Sequence, residues 1–174
     1  MSLYFRLDET TFTQLYNATI TAFPNTKYRH NVVDTIKVKN VKFVPYQGLN
    51  TLFIKSLAEN TEKNTEYKTM VLIKNINYKN QKNAIKIYDE YGKSYNLERP
   101  KISINDVLVR CGCKDFHWRF NYYNSLDKSL YGNKRQEYAS KGTFEANPSK
   151  SPGVCKHLMK LFEQLIKKKI IGGA

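Results

Sequence analysis

Between residues 8 and 23, DETTFTQLYNATITAF, packing side chains recur at Phe12, Leu15, Tyr16, Thr19, Ile20 and Phe23. Spacings of three and four residues put them on one face of a helix. Asp8 suits the N-cap, with acidic groups near the positive end of the helix dipole, and Pro24 stops the run. From residue 34 to residue 100 the rhythm changes to two. In TIKVKNVKFV, Ile36, Val38, Val41 and Phe43 alternate with Lys37, Lys39 and Lys42, with one slip at Asn40 that reads as a bulge or turn. LNTLFIKSL continues the alternation. YKTMVLIKNINY is a longer apolar strand carrying Met70, Leu72, Ile73 and Ile76. NAIKIYDEYGKSYNL reads as a hairpin turning at Asp89–Gly92, and ISINDVLVRC as a last strand that runs into two cysteines. Lysines alternating with apolar residues are the pattern of an antiparallel sheet with one wet face, the other reading being a dedicated binding face.

After the strands, residues 115–126 read as helical, with aromatics at Phe116, Phe120 and Tyr123. Residues 127–150 are polar and loop-like, long for a connection that nothing holds. Residues 151–171 then give the clearest helix. Ser151 suits its cap and Pro152 its first position. Val154, Leu158, Leu161, Phe162, Leu165 and Ile166 form its buried stripe, and Lys167, Lys168 and Lys169 sit at the negative end of its dipole. The elements predict an α+β fold: an N-terminal helix, an antiparallel sheet, and a knuckle joining the last strand to a C-terminal amphipathic helix. Residues 1–106 form the helix-and-sheet lobe and 107–174 the knuckle lobe, together one compact unit of 174 residues.

Composition changes this picture little. Hydrophobic residues make up 41% of the chain, enough for a real core. No apolar run approaches the roughly 20 residues that span a bilayer. MSLYFRLDET has acid where a secretory signal has a basic and then an apolar region, so the expectation is a soluble protein without an export signal. Charge adds more. Lys and Arg number 29 against 15 Asp and Glu, a net +14, which favours polyanions or acidic protein surfaces as partners. The same enrichment in Lys, Asn, Ile and Tyr is what A/T-rich codons encode, so the charge alone does not name a partner.

Chemistry concentrates in two places. RCGCKDFHWRF holds Cys111 and Cys113, and the third cysteine of the chain, Cys155, stands two residues before His157. Three thiols and one imidazole suit a tetrahedral Zn²⁺ ion. Gly112 is expected to let the backbone fold so that both thiolates of the first pair face one ion. Closing the site ties down both ends of the 127–150 loop. Other readings of the cysteines are a strained Cys-Gly-Cys disulfide with one thiol left over, three unconnected buried thiols, and a Cys155–His157 nucleophile and base. His117, four residues after Cys113, competes with His157 as fourth ligand. Around the ligands, Arg110, Lys114, Arg119 and Lys156 are placed to balance a centre of net −1 or to meet phosphate. Asp115 is placed to accept from the knuckle backbone or a ligand histidine, or to cap the short helix. Phe116, Trp118, Phe120, Tyr122 and Tyr123 suit either the core of this lobe or stacking on bases or a partner. Three Cys and one His make a closed pattern, and the chain has no Gly-rich phosphate loop and no paired carboxylates at telling spacing, so no enzymatic activity is expected.

The order Cys-x-Cys, spacer, Cys-x-His resembles the SWIM-type zinc finger, in which the first pair ends a β-hairpin and the second opens a helix. The spacer here, residues 114–154, is longer than is usual in that family. VRCGCKDFHWRFNYYN followed by NPSKSPGVCKHL is similar to a group of small zinc-binding proteins of tailed bacteriophages. That resemblance covers about residues 107–166. It implies zinc on Cys111, Cys113, Cys155 and His157, and a virion structural component assembled in the bacterial host cytoplasm. Its partners would be other virion proteins in a large assembly, with packaged DNA as a further, non-specific contact and no membrane or small-molecule substrate. The alternative it carries is a DNA-binding accessory protein, whose affinity would fall steeply with salt. The closing Gly-Gly-Ala, to Ala174, fits a natural terminus or the cut end left by a maturation protease.

Overall fold

The computed structural model describes residues 10–26, 35–79, 83–135 and 146–173. Its first element, α1 (Phe12–Ala22), begins at a capping box rather than at the expected Asp8, which lies outside the described residues. The Thr11 hydroxyl accepts from the Gln14 N–H (3.3 Å) while the Gln14 side chain accepts from the Thr11 N–H (3.0 Å). Two orphan donors are satisfied at once, which is why the helix starts there. Phe12, Leu15 and Thr19 are its buried face.

Four strands make one antiparallel sheet in the order β1 (Ile36–Tyr46), β2 (Thr51–Asn60), β3 (Thr65–Ile73), β6 (Val107–Cys111). A register shift between Lys39 and Lys42 marks the slip read at Asn40, which takes a left-handed φ of 54°. The inner face carries Leu52 and Ile54 of β2, Val71 and Ile73 of β3, and Val107, Val109 and Cys111 of β6. Lys42, Lys55, Lys68 and Met70 fall on the other face, as period-two alternation requires. A separate hairpin, β4 (Ala84–Tyr88) and β5 (Ser94–Glu98), turns at Asp89–Gly92 as expected. It lays Ile87 and Leu97 into the same core and meets β1 through a bridge between Phe43 and Asp89.

Three predicted elements are shorter than their patterns, YKTMVLIKNINY among them, since β3 ends at Ile73. ISIND is not strand: the Asn105 side chain accepts from the Lys101 N–H and donates to the Lys74 and Asn75 carbonyls, closing turns before Val107. The helix expected over 115–126 is present without a break, as a π-helical turn (Phe116–Phe120) that runs into α2 (Asn121–Leu126). The wide turn buries Phe116 and Phe120 first and then Asn121 and Asn124. The C-terminal helix, α3, runs over Lys156–Lys167 with Cys155 as N-cap, not from Ser151 and Pro152. Residues 151–155 are held out of the helix by the side chains of Asn147, Asn124 and Thr19, which take up the backbone N–H groups of Ser151, Gly153 and Val154. Within α3, Leu158, Leu161, Phe162 and Leu165 are buried, and Phe162 stacks on Phe12 of α1 at 3.7 Å between centroids. Part of the long loop joins the sheet: Ser129 and Tyr131 exchange backbone bonds with Val109 on the free edge of β6. Residues 136–145 of that loop, and Ala174, lie outside the described residues.

Candidate metal centre

Cys111 ends β6 opposite Thr69 of β3, and the ladder runs one residue further through Gly112 N–H to Lys68 O (2.9 Å). Residues two apart in extended chain face the same side, so Cys111 and Cys113 converge through strand geometry. The expected need for glycine between them does not hold. Gly112 has no left-handed φ, and a β-carbon there would meet only Lys68 backbone at 3.8 Å, an ordinary contact. After Cys113 the chain turns helical. Its Sγ accepts from the Phe116 N–H (3.3 Å) and its carbonyl from the His117 N–H (3.1 Å).

The second pair depends on three fasteners that the sequence pattern does not reveal. The Asn147 amide donates to Arg119 O (2.8 Å) and Ser151 O (2.7 Å) and accepts from the Ser151 N–H. The Asn124 amide donates to Gly153 O (2.9 Å) and accepts from its N–H (2.8 Å). The Thr19 hydroxyl of α1 accepts from the Val154 N–H (2.9 Å) and donates to Leu15 O. Gly153 is wedged so tightly that a β-carbon would lie 2.4 Å from Thr19 Oγ1 and 2.5 Å from Phe120 Cε1. Cys155 is therefore delivered in extended conformation as the cap residue (φ −82°, ψ 170°), with His157 in the first turn. Two residues apart within a helix would diverge; one at the cap and one in the first turn converge.

The result brings together all four predicted ligands. One ligand atom from each of Cys111, Cys113, Cys155 and His157 lies within 4.8 Å of every other, and each residue is 3% exposed or less. The edge of a tetrahedron of thiolates about Zn²⁺ is about 3.8 Å, from metal–sulfur bonds of about 2.3 Å. The thiols are free. Hydrogen bonds from Cys111 and Cys155 hold the Cys113 thiol far below its ordinary range, and sharing with Cys113 pushes Cys111 up. Burial pushes Cys155 up. The three thiols thus compete for charge within one buried cluster, and a divalent cation among them would favour the thiolate form of all three. Both His157 ring nitrogens are buried without a hydrogen-bond partner, beside the Tyr67 ring of β3 at 5.0 Å. An unmet buried polar atom costs about 1–3 kcal/mol, and a cation between the four residues satisfies one of these two. The donor set fits a metal ion.

The neighbours divide differently from expectation. His117 is exposed, edge-on to Trp118, and is not part of the group, so His157 is the fourth donor. Arg110 faces away from the centre and binds the Tyr131 (3.1 Å) and Asn133 (2.7 Å) carbonyls, fixing the start of the loop. Asp115 caps nothing and does not reach His157. It pairs with Arg119 (3.1 Å), and burial raises its carboxyl pKa although Arg119 opposes this. Arg119 also lies 4.5 Å over the Phe23 ring and donates to Ala146 O. Lys114 is exposed and Lys156 opens α3. Phe116 and Phe120 belong to the core, whereas Trp118 is exposed with the Arg135 guanidinium 4.9 Å above it. Among the described residues, no helix is long and apolar enough to cross a membrane. Comparison of the chain with protein-family models, with curated proteins and with solved structures finds no match.

Proposed function

We propose that the chain is a zinc-stapled structural protein that works through contacts with other proteins, as a component of a tailed-phage particle. The observation that carries the zinc reading is the buried group of three thiols and one imidazole within 4.8 Å, with both imidazole nitrogens unpartnered. Three sulfurs and one nitrogen are the ligand set of closed structural zinc sites; catalytic sites keep a position for water. Every donor is almost wholly shielded from solvent, so a substrate has no path to the ion. The role of the ion is then to hold Cys113 and its π-helical turn against the cap of α3, across a connection of more than forty residues. The reading as a virion part rests on the resemblance of residues 107–166 to small phage zinc proteins, and on a fold whose chemistry is spent on its own cohesion.

Elemental analysis of the purified protein tests the first half. One zinc per chain is expected, falling to well below one in Cys155→Ser. Wild-type protein purified without metal, with three titratable thiols, would remove the staple. The second half is tested by sedimenting particles from lysed infected cells, where the chain should co-purify at fixed stoichiometry with capsid or tail proteins. Recovery only in the free fraction would end that assignment.

A further inference from the structure

The outer face of the sheet treats charge in two different ways along its length. At one end Lys39 sits between Glu59 (3.4 Å) and Glu66 (2.7 Å), so β1, β2 and β3 neutralise one another. A few residues along, past the bulge at Asn40, Lys42 stands directly across from Lys55 in the β1–β2 register, with Met70 next on β3; Lys68 of β3 lies one row back, across Leu57 from Lys39. Like charges directly opposite each other destabilise a sheet. Nothing in the fold requires them there, since Lys42 and Lys68 are exposed. Lys55 pairs with Glu90, brought in from the tip of the β4–β5 hairpin at 2.9 Å, and the same carboxylate also feels the charge of Lys42. All three lysines line a cleft of about 590 Å³, together with the half-buried Leu57 and Met70.

We infer that this cleft docks an acidic segment of a partner protein, an extended peptide in which carboxylates alternate with apolar side chains. Charge complementarity selects the sign of the occupant, and Glu90 shows how a carboxylate from another element is received. The apolar lining selects its class. Leu57 and a flexible Met70 suit aliphatic side chains, and among the described residues no aromatic ring lines the cleft for a base to stack on. A duplex would meet the lysines and leave the apolar lining uncovered. Apolar side chains of the peptide rest on Leu57 and Met70, and its carboxylates lie level with the ammonium groups that rise beside them. Pairing along the edge of β1 is a poorer route, because the bulge, Lys37, Lys39 and Pro45 blunt that edge. The surface lies on the opposite side of the sheet from the metal centre, so the inference stands whether or not the centre holds zinc.

The test is an amide ¹⁵N–¹H NMR titration of the full chain with a synthetic peptide of alternating Glu and Leu. Shifts should centre on residues 40–42, 55–57 and 68–70. The double variant Lys42→Glu/Lys68→Glu should weaken binding by about tenfold or more, as expected when paired charges are reversed. The control Lys167→Glu/Lys168→Glu carries the same net charge and should stay within about twofold of wild type. Equal weakening in both variants would mean that only net charge matters and would overturn the inference. So would a peptide that fails to bind or shifts residues elsewhere. Single-stranded or duplex DNA shifting the same amides when the peptide does not would assign the face to nucleic acid instead.

Discussion

Gly112 and Gly153 each precede a candidate ligand, and the structure asks opposite things of them. At Gly153 a β-carbon would enter the space of Thr19 Oγ1 and the Phe120 ring, at 2.4 and 2.5 Å. Neither neighbour can give way cheaply, since the hydroxyl is bonded to both Val154 and Leu15 and the ring is buried. Gly153→Ala should therefore cost about 1–3 kcal/mol or more in denaturant unfolding, the range for overpacked cores. It should also speed metal loss, because Cys155 is two residues away. Gly112→Ala should change stability by less than about 0.5 kcal/mol, as expected at an exposed position with room for the methyl group. Zinc content measured on both variants separates the cases: normal in Gly112→Ala, and reduced or readily stripped in Gly153→Ala. The reverse order would mean that the Cys-Gly-Cys turn, not the Pro-Gly-Val-Cys segment, is the constrained half of the site.

At the scale of elements, the last ligand pair depends on a helix far away in sequence. Thr19 on α1 supplies the acceptor for Val154 N–H, 135 residues on. Thr19→Val keeps the shape and removes the acceptor, leaving that buried N–H unmet at a cost of about 1–3 kcal/mol. Urea unfolding should show this loss, and zinc transfer to a chelator should be faster than in wild type. A cost under about 0.3 kcal/mol would mean that the 151–155 segment is placed by Asn124 and Asn147 alone. Such couplings mark the limit of what the pattern of residues discloses. Period-two alternation is local, so the strands, the slip at Asn40 and the Asp89–Gly92 turn are legible from the chain alone. The ligand set is legible too, because Cys and His are few and fall in two pairs. The start of α3 is not: Ser151 and Pro152 satisfy every local rule for a helix N-terminus, and the amides of Asn124 and Asn147 override them from 29 and 4 residues away. ISIND fails as a strand for the same kind of reason, a turn closed by the Asn105 side chain.

For the molecule as a whole, the four candidate ligands are the point where the end of β6 meets the start of the C-terminal helix. One continuous core joins Phe12 and Leu15 of α1, the inner face of the sheet, and Leu158 to Leu165 of α3. β1, β2 and β3 form a meander with short turns, whose contacts are close in sequence and need no ion. By contrast α3 is reached only across the long loop, and its first turn buries His157 with no partner but the proposed metal. Closing a loop of that length costs entropy that a bound ion would offset, and binding free energy at a structural zinc site is folding free energy. Stripping the metal should thus affect the molecule unevenly. Hydrogen exchange in strong chelator should show amides of α3 and of residues 113–121 approaching solvent rates, while amides of β2 and β3 keep much of their protection. Restoring zinc should return both groups to a single cooperative transition. If the amides of α3 stay as protected as those of β2 after the metal is gone, the hydrophobic stripe of α3 and the Phe12–Phe162 stack hold the C-terminal lobe unaided. The thiol group would then be a bystander of the fold rather than its staple.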